Sequence, residues 1–192
     1  MTIMIIGLLI FLGSHSVRIF AEDWRQRQIV KYGENTWKIA YSVVSAVGLA
    51  MAIYGFGQMR LDPIYVWLPP TGLRHAVALL MVPAFIMLVA AYVPRNAIKA
   101  KLGHPMALAV KIWAFSHLLA NGRLGDIVFF AAFLVWAILA FKAAKKRDRL
   151  HPANPVPTSV PATIATVVVG LIAYVLFALY LHVLVIGVPV FS

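Results

Sequence analysis

Six mostly apolar stretches divide the chain, at roughly 2–22, 38–58, 73–94, 104–122, 125–142 and 161–188. A helix needs about 20 such residues to cross the hydrocarbon core of a bilayer, where backbone polar groups must be satisfied within the segment. The pattern predicts an all-α fold: a polytopic membrane helical bundle of about six transmembrane helices. Composition agrees. Of 192 residues, 62% are hydrophobic and only 12% charged, too apolar for a surface bathed in water. A soluble enzyme, a nucleic-acid-binding module and a disordered chain are excluded. The lipid bilayer is the expected partner, and nucleic acid is not.

The formal charge of +11 lies between the apolar runs. Arg18, Arg25, Arg27, Lys31 and Lys38 fall at the first connection. Arg95, Lys99 and Lys101 fall at the third, and Lys142, Lys145, Lys146, Arg147 and Arg149 at the fifth. The second and fourth carry only Arg60, Arg74 and Arg123. Basic loops stay on the cytoplasmic side, so both termini are expected on the other side. No basic residue precedes the first apolar run, which is unlike a signal peptide. Three parts are expected: a five-helix membrane core at 1–142, a basic and Pro-rich cytoplasmic linker at 143–160 (HPANPVPTSVP within it), and a C-terminal transmembrane helix at 161–192. There is no internal repeat of the kind inverted-repeat transporters show.

The chain has no cysteine, which removes disulfides, thiolate metal sites and thiol nucleophiles. Its acids, Glu22, Asp23, Glu34, Asp62, Asp126 and Asp148, all fall at helix ends or loops. A two-carboxylate hydrolase or a proton pump with a central acid is therefore disfavoured. HExxH spacing is absent, so a zinc protease is not indicated. Histidines within spans carry the remaining signal, because an intramembrane ionisable group needs a partner. His15, late in the first span, reads either as a packed histidine or as a cofactor or metal ligand. Arg18, one turn on, either pairs an acidic group or snorkels.

The fourth span holds His104, Pro105, Lys111, Trp113, His117, Asn121 and Gly122. Pro105 suits a first helical turn. His104 and Lys111 share one helical face, with Trp113, His117 and Asn121 on another, so His104 and His117 are not expected to hold one atom. Lys111 either pairs a carboxylate or propionate or reaches for the interface. Asn121-Gly122 reads as a helix end. His75 and His182 lie near the depth of His117, as second ligands or interfacial residues, and His151 falls in the linker.

The segments GSHSVRIF, WRQRQIVKYGENTWKIAYSVVS, WLPPTGLRHAVALLMVPAF and GHPMALAVKIWAFSHLLANG, in that order across residues 5–140, resemble the NnrU family. The resemblance implies a bacterial inner-membrane protein associated with nitrogen-oxide (denitrification) respiration, with a respiratory or nitrogen-oxide reductase complex as partner. The family is similar in turn to the plastid 15-cis-ζ-carotene isomerase, a haem b membrane protein. That likeness implies haem b as cofactor, an apolar polyene as substrate and, if the chain is an enzyme, a haem-dependent cis–trans isomerisation. By it His15 and His117 would ligate the iron, and His104 matches a further histidine. Ala114 stands where the isomerase has a cysteine. Arg18 or Lys111 would pair the propionates, and Trp113 and Asn121 would lie at the cofactor. By the expected topology His15 and His117 differ in depth by about 12 Å, which leaves His75 as an alternative partner for His117. The competing readings are a cofactor-free small-anion transporter, with His15, His117 and Lys111 along its path, and an assembly factor for a respiratory complex.

Overall fold

The computed structural model describes residues 1–70, 72–152 and 156–191. Its helices are α1 (Thr2–Phe20), α2 (Glu22–Tyr32), α3 (Glu34–Met59), α4 (Gly72–Tyr92), α5 (Ala97–Leu102), α6 (Pro105–Ala120), α7 (Leu124–Leu150), α8 (Val160–Leu176) and α9 (His182–Ile186). A π-helical segment, Phe177–Leu181, joins the last two. No strand forms among the described residues, and one isolated bridge pairs Tyr65 with Arg123. The protein is a helical membrane bundle.

Five helices are long and apolar enough to cross a membrane: α1, α3, α4, α7 and the continuous run Val160–Ile186. The remaining expected span, α6, is apolar but has only 16 residues, about 24 Å of rise against a hydrocarbon core of about 30 Å. It starts late because Pro105 occupies its first turn, and it stops at Asn121, whose backbone is extended.

Two boundaries differ from the sequence expectation. The basic segment after α1 forms a helix of its own. Ala21 (φ −137°, ψ 40°) breaks α1, Glu22 and Asp23 favour the positive N-terminal end of α2, and Gly33 at φ +86° separates α2 from α3. The fifth span does not end near residue 142. Helix α7 runs on to Leu150, because Ala143, Ala144 and the lysines and arginines after them are good helix formers. The remainder of the expected linker is therefore short, and its residues 153–155 lie outside the described ones. Its far end is fastened: Ser159 N–H donates to Arg95 O at 2.8 Å, and Ala97 N–H to Thr163 Oγ1 at 2.9 Å.

Helix α1 packs on α3 and on α7, α7 on α6, α6 on α4, and α4 on α8. The spatial order is thus α3, α1, α7, α6, α4, α8, with α7 near the middle. The α1–α3 contact is close because small residues line it. Ser45, Gly48, Ala52 and Gly55 are the buried residues of α3, and a Cβ on Gly7 of α1 would overlap the Ala52 backbone. Helices in lipid gain little from hiding apolar groups and associate instead through such close packing. The tightest core gathers around α7: Met4, Leu8, Leu12, Ala52, Ala114, Phe129, Phe130 and Phe133.

Candidate functional site

His15 sits one turn before the end of α1. Its Nδ1 lies 2.7 Å from Phe11 O. A carbonyl only accepts, so Nδ1 carries a proton; in the neutral form of the ring the lone pair then lies on Nε2. Ser14 Oγ donates to the same carbonyl at 2.8 Å and lies 3.0 Å from Ser45 Oγ of α3. The imidazole is walled by Phe11 (4.3 Å between centroids), Tyr41 (5.2 Å) and, edge-on, Trp136 of α7 (5.8 Å).

A cleft of about 370 Å³ opens beside this ring between α1, α2, α3 and α7. Arg18, Arg25, Lys38 and Arg147 contribute four cations to its lining, and Trp37, Tyr41 and Trp136 its aromatic walls. Two acids already engage two of these cations: Glu22 accepts from Arg25 at 2.8 Å and Glu34 from Lys38 at 2.7 Å, which leaves Arg18 and Arg147 without a carboxylate partner among the described residues. Arg147 also donates to Arg18 O at 3.2 Å, joining the end of α7 to the end of α1. Trp136 Nε1 is buried and makes no hydrogen bond among the described residues. The site is therefore a half-buried imidazole whose Nε2 has no partner among the described residues, beside two cations that no acid engages.

His117, in the last turn of α6, repeats the local geometry. Its Nδ1 lies 2.9 Å from Trp113 O. Its surroundings differ: Phe130 stacks at 4.6 Å and Trp113 at 5.5 Å. Its electrostatic neighbours are His182 and Asp126. Asp126 is buried and accepts from Arg123 Nε at 2.6 Å. A strap closes this end, with Val66 N–H on Gly122 O at 2.8 Å and Leu124 N–H on Ile64 O at 2.8 Å. A Cβ on Gly122 would collide with the Trp67 carbonyl, which is why a glycine follows Asn121. Asn121 itself caps the helix, donating from Nδ2 to His117 O at 2.9 Å.

The two histidines do not face one another. The contact path from His15 runs through Phe11, Phe133 and Trp113 before reaching His117. Along α7, His15 touches Trp136 and His117 touches Phe130, positions about 9 Å apart in helix rise. Of the other expected site residues, Arg18 lines the His15 cleft, whereas Trp113 packs between Phe130 and Phe133. Lys111 is elsewhere, its Nζ 5.2 Å above the Phe141 ring, and His104 Nε2 lies 2.9 Å from Asp148 Oδ2. His75 is exposed on the first turn of α4. His182 Nδ1 lies 2.6 Å from Val188 O, just past the π-helical segment. His15, His117 and Lys111 share no cleft. Among the described residues no three His, Asp or Glu side chains gather to hold a bare metal ion.

Sequence reasoning missed Arg25, Lys38, Arg147, Trp37, Tyr41 and Trp136 as companions of His15. The basic ones read as topology charges, and only the unbroken helical pattern past residue 142 could have placed Arg147 beside α1. Neither a curated protein nor a solved structure matches the chain. The model of the family described as NnrU protein matches residues 3–190, from the first turn of α1 to beyond α9, and the chain belongs to the NnrU family.

Proposed function

We propose that this membrane protein holds haem b in the cleft beside His15, where His15 would be the residue that ligates the iron. The observation that carries the reading is the tethered imidazole, Nδ1 on Phe11 O and Nε2 free, within a four-cation cleft. Iron-ligating histidines are oriented in this way, by a hydrogen bond from the second ring nitrogen. Haem b is an apolar macrocycle with two carboxylates. Arg18 and Arg147, the two lining cations not paired to an acid among the described residues, match the two carboxylates, and Trp37, Tyr41 and Trp136 supply flat apolar walls. The cleft volume lies within the range of small-molecule sites, about 300–1,000 Å³. His117 belongs to the other side of the Phe133–Trp113 barrier, so one protein ligand is the arrangement these residues fit. When bound, haem b supplies one-electron and ligand-binding chemistry at iron. The chain's own residues orient the imidazole, neutralise the carboxylates and exclude water. The setting of this reading is nitrogen-oxide respiration in a bacterial inner membrane, with the basic end in the cytoplasm, both termini outside it and a respiratory complex as redox partner.

The test is an absorption spectrum of the detergent-purified protein, air-oxidised and dithionite-reduced, with a pyridine haemochrome assay. A stoichiometric b-type signal that disappears in His15→Ala and survives in His117→Ala supports the reading. A colourless protein from haem-replete cells overturns it.

A second reading rests on an apolar groove of about 360 Å³ between α1 and α7, lined by Leu8, Leu9, Leu12, Val135 and Leu139 and sharing Trp136 with the His15 cleft. In this reading the groove presents an apolar polyene to the haem for isomerisation. Leu9→Trp, which fills the groove, then blocks retention of an added polyene and leaves the haem spectrum intact.

A further inference from the structure

Lys111 and His104 are left over by the site at His15, and they meet on the opposite side of α7. Lys111 Nζ lies 5.2 Å from the centroid of Phe141, and Lys145 Nζ lies 5.8 Å from the same ring. One ammonium comes from α6 and the other from α7. The turn before α6 closes over them: a Cβ on Gly103 would stand 3.0 Å from Lys145 Nζ. Asp148 is the acid of this corner: its Oδ2 stands 3.5 Å from that same Cβ position and 2.9 Å from His104 Nε2, and its charge offsets one of the two ammoniums, leaving a net of one. Neither lysine makes an ion pair among the described residues. Two half-buried ammoniums on one ring repel each other, and the ring returns only a modest attraction to each. The corner carries an uncompensated positive charge that an anion would balance.

The face of α6 says which anion. Lys111 lies six residues past Pro105, about 9 Å from the basic end of the helix. One turn further from that end, on the same face, Phe115 is 48% exposed. Charge at the membrane boundary above an exposed apolar surface is the order of a phospholipid, phosphate first and acyl chain beneath. Basic pockets between transmembrane helices at such a level bind acidic lipid headgroups. We infer that Lys111 and Lys145, closing on Phe141 between α6 and α7, hold the phosphate of one anionic phospholipid per chain.

This site stands independently of haem, because α7 separates it from His15. The experiment is native mass spectrometry of the full-length detergent-solubilised protein titrated with dioleoylphosphatidylglycerol, and separately with dioleoylphosphatidylcholine. One phosphatidylglycerol per chain should be retained, with affinity lowered about fivefold for each lysine removed. Lys111→Gln/Lys145→Gln should then bind both lipids alike, while Lys31→Gln, on α2, keeps the preference. Should the double variant fail to accumulate, Lys145→Gln alone must still show its share of the loss. Equal retention of the two lipids by the unaltered protein overturns the inference. So does an unchanged preference in the lysine variants. Displacement of phosphatidylglycerol by millimolar inorganic phosphate assigns the corner to a soluble phosphate and overturns the lipid.

Discussion

His15 and His117 are built alike and housed differently. Each ring ties Nδ1 to the carbonyl four residues back in its own helix, at 2.7 and 2.9 Å. Each packs against the aromatic residues of α7. Around His15 stand Arg18, Arg25, Lys38 and Arg147 and a cleft; around His117 stand Phe130, Trp113, a buried Asp126 paired with the part-exposed Arg123, and a closed strap. The tether is a local product of the helix, since a histidine there reaches the i−4 carbonyl wherever it faces inward. It cannot by itself mark a site. What separates the two is the neighbouring charge, which suits His15 to an acidic ligand and His117 to the interior. The sharpest way to break this comparison is to remove each ring. His15→Ala should lose bound haem completely and His117→Ala should keep it, measured as haem per protein after purification. Loss in both would mean that the rings act on one iron despite the barrier between them.

Asp126 gives the next largest effect, on the His117 side. It is 2% exposed and Arg123 is its ion-pair partner. Its removal leaves Arg123 without a partner, but the arginine is 24% exposed and reaches solvent, so the cost is nearer that of a lost charged hydrogen bond, about 1–3 kcal/mol, than that of a fully buried pair. Asp126→Ala should therefore lower the thermal unfolding midpoint measurably in detergent. Haem per folded protein should stay unchanged if the two ends of the α7 ladder are energetically separate. On the His15 side the matching charge, Arg147, ties α7 to α1 through Arg18 O and, in the proposed reading, would also pair a haem carboxylate. Arg147→Ala should weaken haem retention about tenfold, an effect that shrinks in high salt. Lys146→Ala, its exposed neighbour, should do nothing. An equal effect of the two would mean that bulk charge at the basic end, not the cleft, attracts the ligand.

The apolar stretches made the six principal helices legible, because length and hydropathy are properties of single segments. Pro105 marked the start of α6, and the separate faces of His104 and His117 followed from helical spacing alone. The depth gap between His15 and His117, about 12 Å from topology, is about 9 Å along α7. The charges were less legible. A basic residue that fixes orientation and one that lines a cleft look the same in a sequence, so Arg25, Lys38 and Arg147 carried no distinguishing mark. Their convergence depends on α2 folding under α1 and on α7 continuing to Leu150, and both are tertiary facts. Lys111 shows the converse. Its position within a span singled it out, yet it belongs to the α6–α7 corner, because helix order puts α7 between it and His15.

The smallest expected effect tests what orients the His15 ring. Phe11 O accepts from both Ser14 Oγ and His15 Nδ1, and Ser14 Oγ also lies 3.0 Å from Ser45 Oγ. The Ser14–His15 separation of 3.4 Å is long for a hydrogen bond. Ser14→Ala therefore removes the link to Ser45 and one of the two side-chain donors on the carbonyl, and leaves the imidazole tether in place. A part-buried hydrogen bond of this kind contributes about 0.5–1.5 kcal/mol, so the unfolding midpoint should fall slightly. Because Phe11 O keeps His15 as its remaining side-chain donor, the imidazole should stay aimed at the cleft and haem retention should not change. If Ser14→Ala emptied the site as fully as His15→Ala, the orienting contact would be the serine bridge between α1 and α3. The common tether would then explain nothing about either histidine, and the difference between them would lie in which one a second helix holds.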